Sequence, residues 1–260
     1  MIHLLFLFLK QIRYSIAPIY PVLGVYAVLC SGYIQVIGNQ PDRHSMTERL
    51  KHKLEKFLKD NFNGLKLVTP LFYNHPISIR FDLQTDTENA EYFNNVRDRA
   101  ATIFNAAFGD NDNVYVVIQR ATFNRSKIRP KNYLFRQISN PKEIDFQKLF
   151  RPYPPEWHIE KWNRAIIKTV TSDINSQNII KGISYKDFPT SGKAIFEEVY
   201  FINLDRKTIF NMYDDRGCDL LAADKDTLLP IYEKLNHLIL DHDRKKIDEK
   251  FNKLSAAGNL

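Results

Sequence analysis

FNMYDDRGCDLLA, residues 210–222, sets an apolar run against two aspartates, an arginine and a glycine, and then turns apolar again. That pattern reads as two strands joined by a reversal. Gly217 suits a turn position with positive φ, where any side chain would be strained. Asp214 or Asp215 can accept hydrogen bonds from backbone N–H groups two residues on, and Arg216 can pair with Asp214, Asp215 or Asp219. On this reading the glycine is left-handed and the charged side chains face water. Residues 195–203 (IFEEVYFIN) make a strand before it, residues 204–207 turn the chain, and residues 208–213 return. Residues 218–222 then form a third strand, so the region is a β-meander.

The rest of the chain is read outward from there. After the meander, Asp226 or Thr227 caps a long last helix, with Leu228, Ile231, Leu235, Leu238, Ile239, Ile247 and Phe251 near helical spacing. Before it, residues 175–187 are a short helix with Ile179, Ile180 and Ile183 inward, and residues 164–173 alternate as a strand. Residues 113–123 are a strand with a buried centre. Residues 87–108 carry a helical stripe of Phe93, Val96, Ala100, Ile103, Phe104 and Ala107. Residues 65–69 and 77–83 read as a hairpin with Arg80 in its second strand. Leu50, Leu54, Phe57 and Leu58 mark a first helix, opened by a Ser45/Glu48 capping box. No strict alternation of strand and helix runs through this, so the expected fold is α+β: a mostly antiparallel sheet, helices packed on one face, and a long C-terminal helix. The expected division is a hydrophobic extension (1–45), an N-terminal half (46–123), a basic Pro-rich linker (124–155) and a C-terminal half (156–260).

Residues 17–38 run for 22 positions without a charge, long enough to span a bilayer. They are read as a membrane anchor or as a segment outside the normal translation product, with synthesis starting at Met46. A signal peptide fits poorly because Pro18 and Pro21 interrupt the apolar run. The expected location is therefore cytoplasmic, with anchoring through residues 17–38 as the alternative. Two cysteines, Cys30 and Cys218, give no disulfide framework and no zinc spacing. The net charge of +7 raises nucleic acid as a partner, but lysines are interleaved with acids and no basic block exists, which weighs against it.

Complete catalytic signatures are missing. There is no phosphate-binding glycine loop, no nucleophile elbow and no zinc-protease helix motif. His237 and His242 are five apart and do not share a helix face, and Glu197 and Glu198 point to opposite faces of a strand. Arg80 and Arg99 read as salt-bridge or snorkelling side chains. Trp157 and Trp162 read as pins for the linker, or as a binding platform. Asp214, Asp215 and Asp219 together could hold a divalent cation, though no glutamate closes the set. Alternatively, Asp214, Asp215, Arg216, Gly217 and Asp219 form a contact surface for a partner, because a charged turn on a rigid sheet suits binding.

The stretch YDDRG at 213–217, with residues 201–203 and 209–210 before it, resembles the C-terminal module of the bacterial domain of unknown function 3885 family. LFYNHPISIRFDL (71–83) and RAATIFNAAF (99–108) are similar to segments upstream of that module in longer members. The resemblance implies a cytoplasmic protein that begins near Met46; it brings no activity and no catalytic residues. The expectation is a non-enzymatic binding protein without a cofactor, immunity-like or regulatory, whose partner is another protein. A metal-dependent hydrolase or nuclease using the 214–219 aspartates, and a basic nucleic-acid binder, are the alternatives. Membrane contact is expected only through residues 1–45.

Overall fold

NVYVVIQRA, Asn113–Ala121, cannot be covered by one layer. Val114, Val116 and Ile118 point to one side, Tyr115 and Val117 to the other, and all five are buried. A strand buried on both faces needs helices on both faces, and that requirement shapes the architecture. The structure, a computed structural model, describes residues 48–121, 128, 132–150 and 161–252. The hydrophobic extension, residues 151–155 of the linker, Trp157 and Ser45 of the expected capping box lie outside the described residues.

Seven strands form one sheet: β1 (Ser78–Asp82), β2 (Asn113–Ala121), β3 (Glu143–Phe150), β4 (Lys161–Val170), β5 (Glu198–Asn203), β6 (Thr208–Met212) and β7 (Gly217–Ala222). Their spatial order is β1-β7-β6-β5-β2-β4-β3, and every pair is antiparallel. The meander β5-β6-β7 lies at the centre of one half, as its turn-separated apolar runs predict. β2 comes from the first half of the chain yet sits between β5 and β4 of the second, and β1 pairs with β7. The two sequence halves therefore interleave in one sheet. Part of the stretch read as linker is itself a strand, β3.

Helices α2 (Asn89–Ala107), α3 (Ser176–Ser184), α4 (Lys225–Lys234) and α5 (Asp241–Asn252) cover one face. Their apolar residues meet Ile79, Phe81, Val116, Ile118, Phe201, Phe210 and Leu220 in the larger core. α1 (Leu50–Phe62) covers the opposite face with Leu50, Leu54, Leu58 and Phe62, over Val117, Ile166, Tyr200, Ile202, Ile209 and Leu221. The expectation of helices on a single face thus holds for four of them, and α1 supplies the second cover that β2 demands. α1 has no side-chain N-cap. α3 is capped by Asn175, and α4 by Asp224 rather than by the expected Asp226 or Thr227.

Two further expectations change. The last helix is not continuous: a 3-10 turn at Asn236–Leu238 and an extended Ile239 separate α4 from α5. The break has a use, because Ile239 bridges to Phe81 and Leu240 N–H donates to the Arg80 carbonyl (3.0 Å), closing the outer edge of β1. Arg244 caps the freed carbonyls, donating to Asn236 O (3.3 Å) and Ile239 O (3.0 Å). Residues 65–69 are not a strand. They belong to an irregular strap, residues 65–76, which buries Leu65, Leu67 and Leu71 on the α1 side of the sheet and Phe72 in the larger core.

Phe104 on α2 is the centre of an aromatic group. It stacks on Phe108 (4.4 Å between centroids) and meets Phe201 (5.1 Å) and Phe210 (5.6 Å) edge to face. Phe104→Ala is expected to cost about 3–5 kcal/mol, because the rings around the void belong to three separate elements and cannot collapse together. Urea unfolding measures it; a loss under about 1 kcal/mol contradicts this packing.

Candidate functional site

At the β6–β7 reversal the motif side chains turn inward. Asp214 is 6% exposed and Asp215 4%. Asp214 accepts from Arg216 N–H (2.9 Å) and Arg216 Nε (3.0 Å), which is the local turn bonding expected of an aspartate. Asp215 accepts from the Tyr92 hydroxyl on α2 (2.5 Å). Burial together with that hydrogen bond pushes the Tyr92 phenol up to about 12. Asp214 holds the Arg216 guanidinium above its ordinary range. Arg216 alone of the four turn residues is exposed, and it also reaches Asp187 (3.5 Å). Lys186 Nζ donates to the Tyr213 carbonyl (3.1 Å), so the segment after α3 is fastened to the same corner.

Gly217 is buried, and its φ is not positive; among the described glycines only Gly64 is left-handed. The residue must be glycine for a different reason. A Cβ there would fall against the Tyr213 hydroxyl and 2.9 Å from the Phe81 carbonyl. The expected left-handed turn with side chains in water is thereby corrected to a close-packed corner, in which a small residue lets the Tyr213 ring fold over the end of β7.

Asp219 lies two residues further on, in the middle of β7, with no exposure at all. It stands opposite Arg80 of β1, whose Nε donates to it at 3.0 Å. Phe72 N–H from the strap donates to its other oxygen at 3.0 Å. Burial pushes this carboxyl up while Arg80 and the backbone amides pull it down. For Arg80, burial alone would lower the guanidinium, but Asp219 outweighs it and holds the charge in place.

Asp219 is one member of a polar row that crosses all seven strands on the α1 face. In spatial order the row is Arg80, Asp219, Asn211, Tyr200 with Glu198, Gln119, Arg164 and Gln147. The strap lies along it. Thr69 Oγ1 is 3.0 Å from both Asn211 Oδ1 and the Tyr200 hydroxyl, and Gln119 Nε2 donates to Leu67 O at 2.9 Å. An irregular buried segment has no ladder to satisfy its backbone; Gln119 serves the Leu67 carbonyl and Asp219 the Phe72 amide, while Asn211 and Tyr200 hold the Thr69 side chain. Further along, Arg164 Nε donates to Gln119 Oε1 (2.7 Å), and Gln119 Nε2 donates to Glu198 (3.1 Å). One amide thus links that cation to its acid.

Outside the Arg80–Asp219 pair, Arg80 Nη1 reaches Asp243 of α5 (3.4 Å) and the Tyr73 hydroxyl (3.2 Å). Its guanidinium lies over the Tyr73 ring (4.6 Å) and the Phe72 ring (5.2 Å). Lys250 Nζ approaches the Phe72 centroid to 4.5 Å and donates to Ser78 Oγ at 3.2 Å. Burial, then the charge of Lys246, lowers Lys250 to about 8. Burial also lowers His75. A serine beside a lysine of lowered basicity has the composition of a nucleophilic pair. Here Ser78 is fully buried, and its hydroxyl bonds to His75 O (2.8 Å) and Phe72 O (3.0 Å), a strap-fastening role.

The three aspartates proposed for a metal face three different partners: Arg216, Tyr92 and Arg80. Among the described residues no group of three His, Cys, Asp or Glu is placed to hold a metal ion. Glu197 pairs with Arg120 (3.3 Å) while Glu198 accepts from the Tyr200 hydroxyl (2.8 Å), so the two do diverge. Trp162 is buried, and Arg99 donates to Gln84 O. The strap and the polar row were not anticipated from sequence. Their traces there are single polar residues in apolar strands, Arg80 in SIRFD and Asp219 in GCDLLA.

A family model described as "Domain of unknown function (DUF3885)" matches residues 54–243, which takes in α1 from Leu54 on, the strap, the whole sheet and the start of α5. The chain belongs to this family. It is also similar to "Uncharacterized protein YnaE" of Bacillus subtilis (strain 168), 24% identical over 205 residues that span 72% of this chain and 96% of the relative. No solved structure matches. Among the described residues, no helix is long and apolar enough to cross a membrane.

Two outcomes follow from this geometry. Gly217→Ala should destabilise by about 1–3 kcal/mol, and Tyr213→Phe should recover part of that, since removing the hydroxyl leaves the Phe81 carbonyl still in the way. Additive losses in a double-mutant cycle contradict the close approach. Lys250 has a folded-state pKa below its unfolded value, so the unfolded chain binds more protons between about 8 and 10.4 and stability gains from this group as pH rises through that window. Lys250→Met should therefore be more stable than wild type at pH 7, with the advantage shrinking towards pH 10. An advantage that does not change with pH contradicts the assignment.

Proposed function

We propose that this protein is a non-enzymatic binding module whose partner is another protein, and that the contact is made around Arg216. The observation that carries this reading is the contrast within the motif. Asp214, Asp215, Gly217 and Asp219 are buried, while the Arg216 side chain is 60% exposed at the rim of a rigid corner. Beside it, through Asp187, lies Phe188, a large apolar residue left 43% exposed. Phe188 rests edge-on against Phe93 (5.3 Å), which also meets Tyr185 (5.0 Å). Arginine and aromatic residues on a preorganised base are the composition of interface hot spots. The expected partner offers a carboxylate to Arg216, displacing Asp187, and an apolar side chain to Phe188. Of the inward aspartates, Asp214 then holds Arg216 in place, while Asp215 and Asp219 bond to Tyr92 and Arg80 instead of touching the partner.

A photo-crosslinking residue at position 188, expressed in the source cell, tests this. It should capture a discrete protein, and Arg216→Ala should cut the yield about tenfold or more. The same residue at exposed Lys59 on α1 should not capture that protein. No adduct at 188, or the same adducts from both positions, contradicts the proposal.

A further inference from the structure

Three cations and two carboxylates converge on the rings of Phe72 and Tyr73 where the strap meets α5. Arg80 holds both carboxylates, Asp219 (3.0 Å) and Asp243 (3.4 Å). Lys246 Nζ lies 5.3 Å from the Phe72 centroid and 5.1 Å from that of Tyr73. Lys250 Nζ lies 4.5 Å from the Phe72 centroid. Among the described residues, neither lysine has a carboxylate within ion-pair distance. They are four apart on one helix, a spacing at which like charges repel. Aromatic faces offset part of that repulsion but carry no charge. Ser78 Oγ accepts from Lys250 at 3.2 Å and adds none either. Tyr73 beside them is 51% exposed, so the group opens to solvent.

We propose that Lys246 and Lys250, with the exposed face of Tyr73, bind a phosphate group. Arg80 offsets one of its two carboxylates, so the five groups keep one net positive charge, and a phosphate offers more oxygens than a carboxylate for two separate ammonium donors to share. Lysine supplies a point charge with rotatable donors, which suits the tetrahedral oxygens of phosphate. Arg80 is already committed to its acids and serves to position Tyr73. The site is distinct from the Arg216 corner, so either assignment can fail without the other.

The experiment is thermal melting of the full chain at pH 7 and constant ionic strength, with inorganic phosphate replacing chloride. A saturable rise is expected, about 3–5 °C at ten times the dissociation constant. Lys246→Gln, at an exposed position that folding does not need, should weaken binding about tenfold, and adding Lys250→Gln should abolish it. Acetate should give no saturable rise. Phenyl phosphate binding more tightly than inorganic phosphate assigns the ligand to an aryl ester lying on Tyr73; equal binding assigns free phosphate. No saturable rise with either phosphate, or the same rise in the double variant, overturns the proposal.

Discussion

A carboxylate with no contact to water sits in the middle of β7, and the surroundings must compensate for it. Burying an isolated charge is prohibitive, and burying a pair costs several kcal/mol per ion unless hydrogen bonds complete it. Asp219 receives that completion from two sources: the Arg80 guanidinium across the β1–β7 ladder, and strap amides including Phe72 N–H. The same bonds that make the charge tolerable therefore fasten the strap to the sheet. Gln119 repeats the device further along the row by donating to the Leu67 carbonyl, and Asn211 and Tyr200 hold the strap by its Thr69 hydroxyl. Such a row adds less to net stability than an apolar one of equal volume would. What it supplies is register, because shifting the strap would part the Phe72 amide from Asp219, the Leu67 carbonyl from Gln119 and Thr69 from Asn211.

This arrangement also accounts for the motif at the β6–β7 reversal. Gly217 admits the Tyr213 ring, Asp214 fixes the turn, and Asp215 ties it to α2 through Tyr92. The motif is thus a three-way junction between the sheet, α2 and the segment after α3. Its one outward group, Arg216, is held at both Nε and the backbone by Asp214, which is the preorganisation a contact residue benefits from.

Much of the fold was legible from pattern alone. The meander, α2 and α3 are announced by apolar periodicity and turn residues, and Ile179, Ile180 and Ile183 are buried as their spacing requires. Three features were not legible, each because a tertiary requirement overrode a local one. The last helix keeps helical spacing through Leu235, Leu238 and Ile239 yet breaks, since the edge of β1 needs the Leu240 N–H. The strap alternates like a strand but finds side chains instead of a partner strand. Gly217 reads as a turn glycine because glycine has two uses, positive φ and close approach, and only the neighbours distinguish them. The candidate site was legible in its residues but not in their direction. A run of charges beside a turn looks solvated until Tyr92, 123 positions away in sequence, is seen to reach it.

Native-state hydrogen exchange at the Phe72 amide tests the central claim most directly. The strap has no ladder, so that amide is protected only if Asp219 holds it. The account predicts exchange through an opening nearly as costly as global unfolding, with protection lost in Asp219→Ala while the β2 amides stay slow. Free exchange of the Phe72 amide in the wild-type protein, at the rate of a solvated loop, would contradict it.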